Sequence, residues 1–151
     1  MHVGNNWQLL DGNDSGETFY DSSAHLQDLS VFEHPINVHY SCKSVTGWPR
    51  IYVEVWGVDE YGRHSIYGYG VVSVPCSPGN YNLEIPMWRP EGTTFQKFAS
   101  FFLGANPELS YTNVVLSAND RFGMQCVSTG SVQVRLGVVT KDFNLHGVCI
   151  N

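Results

Sequence analysis

Three stretches of this chain alternate apolar and polar residues with a period of two, and nothing else in the sequence limits its fold as much. Ile36, Val38, Tyr40 and Cys42 share one side, with Asn37, His39 and Ser41 on the other. Ile51, Val53 and Val55 alternate with Tyr52, Glu54 and Trp56, and Val132, Val134, Leu136 and Val138 alternate with Gln133, Arg135 and Gly137. Successive side chains of a strand point to opposite faces, so this spacing predicts strands with one covered and one wetter face. Shorter strands are predicted over Gly68–Val74, Asn80–Ile85 and Phe122–Val127. Turn-forming runs separate them: Thr46-Gly47-Trp48-Pro49, Asp59-Glu60-Tyr61-Gly62, Cys76-Ser77-Pro78-Gly79 and Ser128-Thr129-Gly130. Strands at this spacing, joined by such turns, predict a mainly all-β chain folded as an antiparallel β-sandwich.

One segment departs from the alternation. A hydroxyl cap at Thr93 or Thr94, apolar spacing of Phe95, Phe98, Ala99 and Phe102, and a stop at Gly104 predict one short helix. Residues 11–33 are polar and predict a loop holding a short strand near Glu17–Tyr20. With 151 residues, no linker and no internal repeat, a single domain over 1–151 is expected. Charged residues make up only 15% and aromatics 13%, which excludes a disordered chain. No apolar run reaches the roughly 18 residues a membrane-spanning helix needs.

The net charge of −6 is unevenly placed. Residues 1–75 hold Lys43, Arg50 and Arg63 against nine acids, whereas residues 76–151 hold five of each sign. Without a basic stripe to neutralise phosphates, nucleic acid is excluded as a partner, and strong attraction to anionic lipid is disfavoured. Cys42, Cys76, Cys126 and Cys149 are scattered, with no Cys-x-x-Cys and no His/Cys pair at finger spacing, so no metal site is expected. The opening residues lack the charged-then-apolar pattern of a secretion signal, which predicts reduced thiols and a cytoplasmic protein. Asn13-Asp14-Ser15 fits a glycosylation triplet of the kind that arises by chance.

Catalysis finds no foothold. There is no Gly-x-Ser-x-Gly, no His-Glu-x-x-His and no phosphate-binding glycine loop. Gly68-Tyr69-Gly70 lacks a third glycine and reads as close backbone approach within a sheet. His34 and His39 stand alone, without a second ligand at fixed spacing. The expectation is no enzyme activity, no cofactor and no small-molecule substrate.

The run from Val53 to Gly70 reads as strand, acidic loop, strand, and resembles the calcium-loop hairpin of C2 domains. The two positions that carry aspartates there are Gly57 and Asp59 here, and Arg63 adds a positive charge. Calcium takes 6–8 oxygen ligands, largely carboxylate, so no calcium binding is expected. Five further motifs follow in order: His34-Pro35-Ile36-Asn37-Val38-His39-Tyr40, Gly47-Trp48-Pro49-Arg50, Gly68-Tyr69-Gly70-Val71, Val74-Pro75-Cys76-Ser77-Pro78-Gly79 and Trp88-Arg89-Pro90. With Val138-Val139-Thr140-Lys141-Asp142-Phe143 and His146-Gly147-Val148 they make nearly the whole chain resemble the B9-type C2 domains of ciliary transition-zone proteins. Trp7-Gln8-Leu9-Leu10 and the Trp-Arg-Pro motif look most like one branch of that family, while Ile85-Pro86-Met87 and Val139–Asp142 lean toward a second.

The resemblance implies a C2-like β-sandwich and a non-catalytic structural component of the transition-zone B9 complex, binding other B9 proteins at the basal body and transition zone. It also implies an alternative, a calcium-independent peripheral phospholipid-binding module with weak membrane-surface contact. The family domain normally begins with a strand ahead of the segment matching Val3–Leu10, and this sequence lacks a match to it. A neighbouring strand with unpaired backbone is therefore expected.

The alternation also nominates a partner surface. If Ile51, Val53 and Val55 face the core, Tyr52, Glu54 and Trp56 face outward, and the next strand adds Tyr67 or Tyr69 according to register. The candidate partner-binding residues are Tyr52, Trp56 and Tyr69, because Tyr and Trp are enriched at interface hot spots. The competing expectation is that the predicted helix or the long early loop covers them.

Overall fold

The computed structural model describes residues 1–21, 29–91, 115 and 124–148. They divide into two compact units, Met1–Pro49 and Arg50–Asn151. Both are built from antiparallel strands, as the alternation requires.

The first unit holds a two-stranded sheet of β1 (Trp7–Gly12) and β2 (Val38–Cys42). Their register runs from Trp7 opposite Cys42 to Gly12 opposite Val38, with a bulge between Leu9 and Asp11. That bulge explains why β1 carries no period-two signature: Leu9 and Leu10 are adjacent in sequence, and Leu10 has no partner. The Trp7 ring meets Trp48 edge-on at 5.1 Å and Tyr40 at 6.4 Å, and its indole N–H donates to the Thr46 carbonyl at 3.0 Å. Such edge-to-face pairs add roughly 0.5–1.5 kcal/mol beyond area burial. Gly4 and Gly47 touch backbone to backbone, the Gly4 N–H donating to the Gly47 carbonyl at 2.9 Å. A Cβ on Gly4 would meet the Gly47 Cα at 2.7 Å, so the expected turn at Thr46–Pro49 closes only with glycine there. The strand expected near Glu17–Tyr20 does not form, and Ile36 lies outside β2. Beyond Gly12 the facing limbs are tied by a side chain instead of a ladder: Asp21 Oδ2 accepts the Val31 N–H at 2.9 Å.

The second unit is a four-stranded sheet in the order β3 (Arg50–Val58), β4 (His64–Ser73), β5 (Gly79–Pro90), β6 (Cys126–Val138). The expected turns at Asp59–Gly62 and Cys76–Gly79 join its first three strands. The Ser128-Thr129-Gly130 turn is corrected. Trp88 pairs with Ser128 and Met87 with Gly130, so Thr129 is an extra residue inside one long strand. Gly130, with φ near 123°, makes this a β-bulge. Glycine and hydroxyl residues signal a local kink, which need not reverse the chain. β5 also continues past its expected end at Ile85, through Pro86 to Pro90, because its ladder to β6 continues to Pro90 opposite Cys126. It is registered to β4 only at Tyr69 and Trp88, which leaves it edge-like where proline is tolerated. The helix predicted from Thr93 or Thr94 to Gly104, Phe122 and Cys149 lie outside the described residues. The three described cysteines are free thiols.

Packing uses both faces of this sheet. On one, Gly70 stands opposite Val53 and is roofed by Ile85 and Met87. On the other, Ile66, Tyr69 and Val115 form a buried cluster against which Tyr52, Val71 and Trp88 pack. Ile66 and Ile85 are wholly buried, each worth roughly 1.5–3 kcal/mol. A methyl on Gly70 would meet Ile85 Cγ2 at 2.7 Å and overlap Met87. Gly70→Ala is therefore expected to destabilise by about 1–3 kcal/mol in a denaturant titration, the usual cost of overpacking.

Candidate functional site

The β3–β4 hairpin carries the nominated residues. Its tip is a three-residue loop: the Gly62 N–H donates to the Asp59 carbonyl at 3.0 Å, and the Asp59 N–H donates to the Arg63 carbonyl at 3.1 Å. Gly62 has φ near 74°, the left-handed conformation such loops require. Asp59 leads the turn because its carboxylate accepts from the Tyr61 and Arg63 backbone N–H groups, at 2.9 and 2.8 Å. Arg63 Nε adds an ion pair at 2.6 Å, and the Arg63 guanidinium lies 5.3 Å from the Tyr61 ring centre. These contacts hold the Asp59 carboxyl below its ordinary value, the Arg63 backbone N–H contributing most.

Along β3, the side chains of Tyr52, Glu54 and Trp56 follow one another on the same face. Glu54 sits between two aromatic donors: its Oε1 accepts the Tyr52 hydroxyl, and its Oε2 accepts the Trp56 indole N–H at 3.1 Å. Burial, and then the bond to Glu54, push the Tyr52 hydroxyl well above the ordinary tyrosine range, so it remains a donor. The sequence reading nominated both aromatics and missed the role of Glu54. A carboxylate at i+2 between a Tyr and a Trp on one strand face is the signal that could have found it.

The register then separates the candidates. Glu54 pairs with Tyr69, which puts Tyr69 on the same face as Tyr52, as expected. That face is covered at its centre, however: Tyr69 is 3% exposed, with its ring 5.9 Å from that of Trp88. Tyr69 is thus a core residue, withdrawn from any partner surface. Tyr52 is half-buried against the same cluster, while Trp56, toward the hairpin tip, is 49% exposed. Tyr67 is the extra residue of a bulge between Val55 and Trp56, and its ring occupies the space where a Gly57 side chain would go. Since Gly57 faces away from Trp56, Tyr67 covers the opposite face.

Comparison with known proteins places this hairpin in context. The family described as "Ciliary basal body-associated, B9 protein" (B9-C2) matches residues 1–139. The chain belongs to the B9 family. It is 34% identical to B9 domain-containing protein 2 of Xenopus laevis over 148 residues, covering 98% of this chain and 84% of that protein. It is 37% identical to B9 domain-containing protein 2 of Drosophila melanogaster over 150 residues, with the same coverage. B9 domain-containing protein 1 of Mus musculus is 36% identical over 146 residues, 95% of this chain and 72% of that protein. These are the two branches between which the ordered motifs divide. No solved structure matches. The family's description makes this a ciliary, basal body-associated protein, and neither it nor the relatives' names states a catalytic activity.

Within this B9 chain the geometry adds a physical reason for the expected lack of calcium binding. Asp59 is already engaged by its own turn, and a carboxylate at position 57 would collide with the Tyr67 ring. Gly57→Asp is expected to lower the melting temperature without producing a calcium-dependent heat in calorimetric titration. A second expectation concerns protons. Because the folded carboxyl of Asp59 titrates below the ordinary 3.8, its support of the tip is present above that value and lost as pH falls through the folded value. An NMR titration of the Gly62 and Arg63 amides should show a midpoint below 3.8 that rises toward it in Arg63→Ala.

Proposed function

We propose that this B9 protein is a non-catalytic structural component of a B9 complex at the ciliary transition zone, serving cilium assembly and the ciliary diffusion barrier by binding other B9 proteins. The reading rests on Trp56. A large, half-exposed indole is fixed by a hydrogen bond to Glu54 at a strand end, so little rotamer freedom remains to be lost on docking. Trp is among the residues that most often carry interface energy. The family match spans residues of both compact units, which supports treating 1–151 as one B9-type C2 domain. The family's basal body description supports the location. Peripheral lipid binding is the weaker reading, because the hairpin tip presents Glu60 and an Arg63 already ion-paired to Asp59, with no cluster of Lys and Arg for an anionic surface.

Purified full chain is to be titrated with B9 domain-containing protein 1 and, in parallel, floated with phosphatidylserine vesicles. Trp56→Ala should weaken protein binding by about 2 kcal/mol, roughly 30-fold, with no change in melting temperature. Tyr52→Ala should instead cost about 1–3 kcal/mol of stability, since it removes half-buried ring packing. Unchanged affinity in Trp56→Ala, or vesicle binding without protein binding, would sink the reading.

A further inference from the structure

The first unit carries an acidic, apolar arm that the hairpin reading does not use. Beyond the β1–β2 pair at Gly12 and Val38, the limbs 13–21 and 29–37 continue side by side. His34 Nε2 lies 3.4 Å from where a Gly16 side chain would start, and Asp21 bonds the Val31 backbone. Glu33 takes a positive φ of 43°, and Pro35 restricts the return limb.

Large apolar side chains stand outward along these limbs. Phe19 is 91% exposed and Tyr20 78%, and Leu29, Val31, Phe32 and Ile36 are exposed as well. Interleaved with them are Asp14, Glu17, Asp21 and Glu33, and the sequence contains no Lys or Arg before Lys43. Scattered apolar residues on a surface need no explanation, but six along one clasped arm do.

We propose that this arm is a preorganised docking element for a protein partner whose surface offers an apolar groove rimmed by Lys or Arg. The apolar side chains require the groove, and the excess of carboxylates along the limbs selects a basic rim. The same charge repels nucleic acid and anionic lipid, which leaves a protein as the occupant. The Asp21–Val31 bond and the Pro35 constraint remove part of the ordering cost that a free peptide would bear. The inference rests on the reading that the chain works by binding protein, but it concerns a surface separate from Trp56.

The test uses the full chain in ciliated cells, with a benzophenone amino acid replacing Phe19, Val31 or, separately, Trp56. Photo-cross-links are mapped to residues by mass spectrometry. From Phe19 and Val31, links are expected on another protein at apolar residues bordered by Lys or Arg. Glu17→Lys combined with Glu33→Lys should lower that yield about threefold and leave the Trp56 yield unchanged. A melting curve checks that this variant folds. Links confined to the chain itself, to a second copy, to lipid or to an acidic surface overturn the proposal, as does their absence. The Trp56 probe reports on the hairpin separately. Loss of B9 proteins there, with the Phe19 links intact, would defeat the hairpin reading and leave the arm standing.

Discussion

The antiparallel register of β3 against β4, with one bulge at Tyr67, is the constraint on which the rest of the second unit depends. Paired residues share a face, so Glu54 opposite Tyr69 places both aromatics and the carboxylate on one side. A slip of one residue would invert every side chain and bring Val53 and Val55 into the space filled by Ile66 and Tyr69. The bulge then acts as a phase change. It lets Trp56 oppose Ile66 and sends the Tyr67 ring over Gly57. One extra residue therefore decides which of three neighbouring aromatics is core, which is rim and which covers the other face.

The sheet can carry such a rim because its buried centre is compact. Ile66, Ile85 and Val115 are wholly enclosed, and Gly70 gives Met87 and Ile85 room to lie against the backbone. Toward the hairpin tip this packing gives way to polar ties: the Glu54 clasp, the Asp59 turn and the Arg63 ion pair. Exposed ion pairs of this sort contribute little to global stability, so their effect is on shape. They fix where Trp56 and Tyr61 stand.

Period-two alternation made β2, β3 and the second half of β6 legible, and in β2 and β6 half-covered and exposed residues do alternate. β4, buried on both faces, shows no such alternation. The pattern failed at β1, where a bulge breaks the phase, and at Glu17–Tyr20, where Asp21 replaces ladder bonds with a side-chain tie. Ser128-Thr129-Gly130 was misread because the same residues serve a turn and a bulge. Family membership was legible from ordered motifs such as Gly47-Trp48-Pro49 and Trp88-Arg89-Pro90, which carry more information than any single element. At the candidate site, strand phase alone puts Tyr52 and Trp56 on one face. The exposure of Trp56 there comes from its place near the hairpin tip, beyond the cluster that covers Tyr69. The burial of Tyr69 could not be read from phase either, since it depends on Val115, a residue 46 positions away in sequence that packs onto it.

The seating of Tyr67 over Gly57 also bears on which sequences lie within one mutational step of this one. A carboxylate at 57 collides with the ring, while shrinking Tyr67 first uncovers the backbone of Gly57 and gains no ligand. Freeing Asp59 for a cation means giving up the turn it now organises. An ion-binding variant of this hairpin thus requires several coordinated substitutions, each unfavourable alone. Selection acting one substitution at a time meets a valley there, set by the shape of the hairpin's own ring and turn.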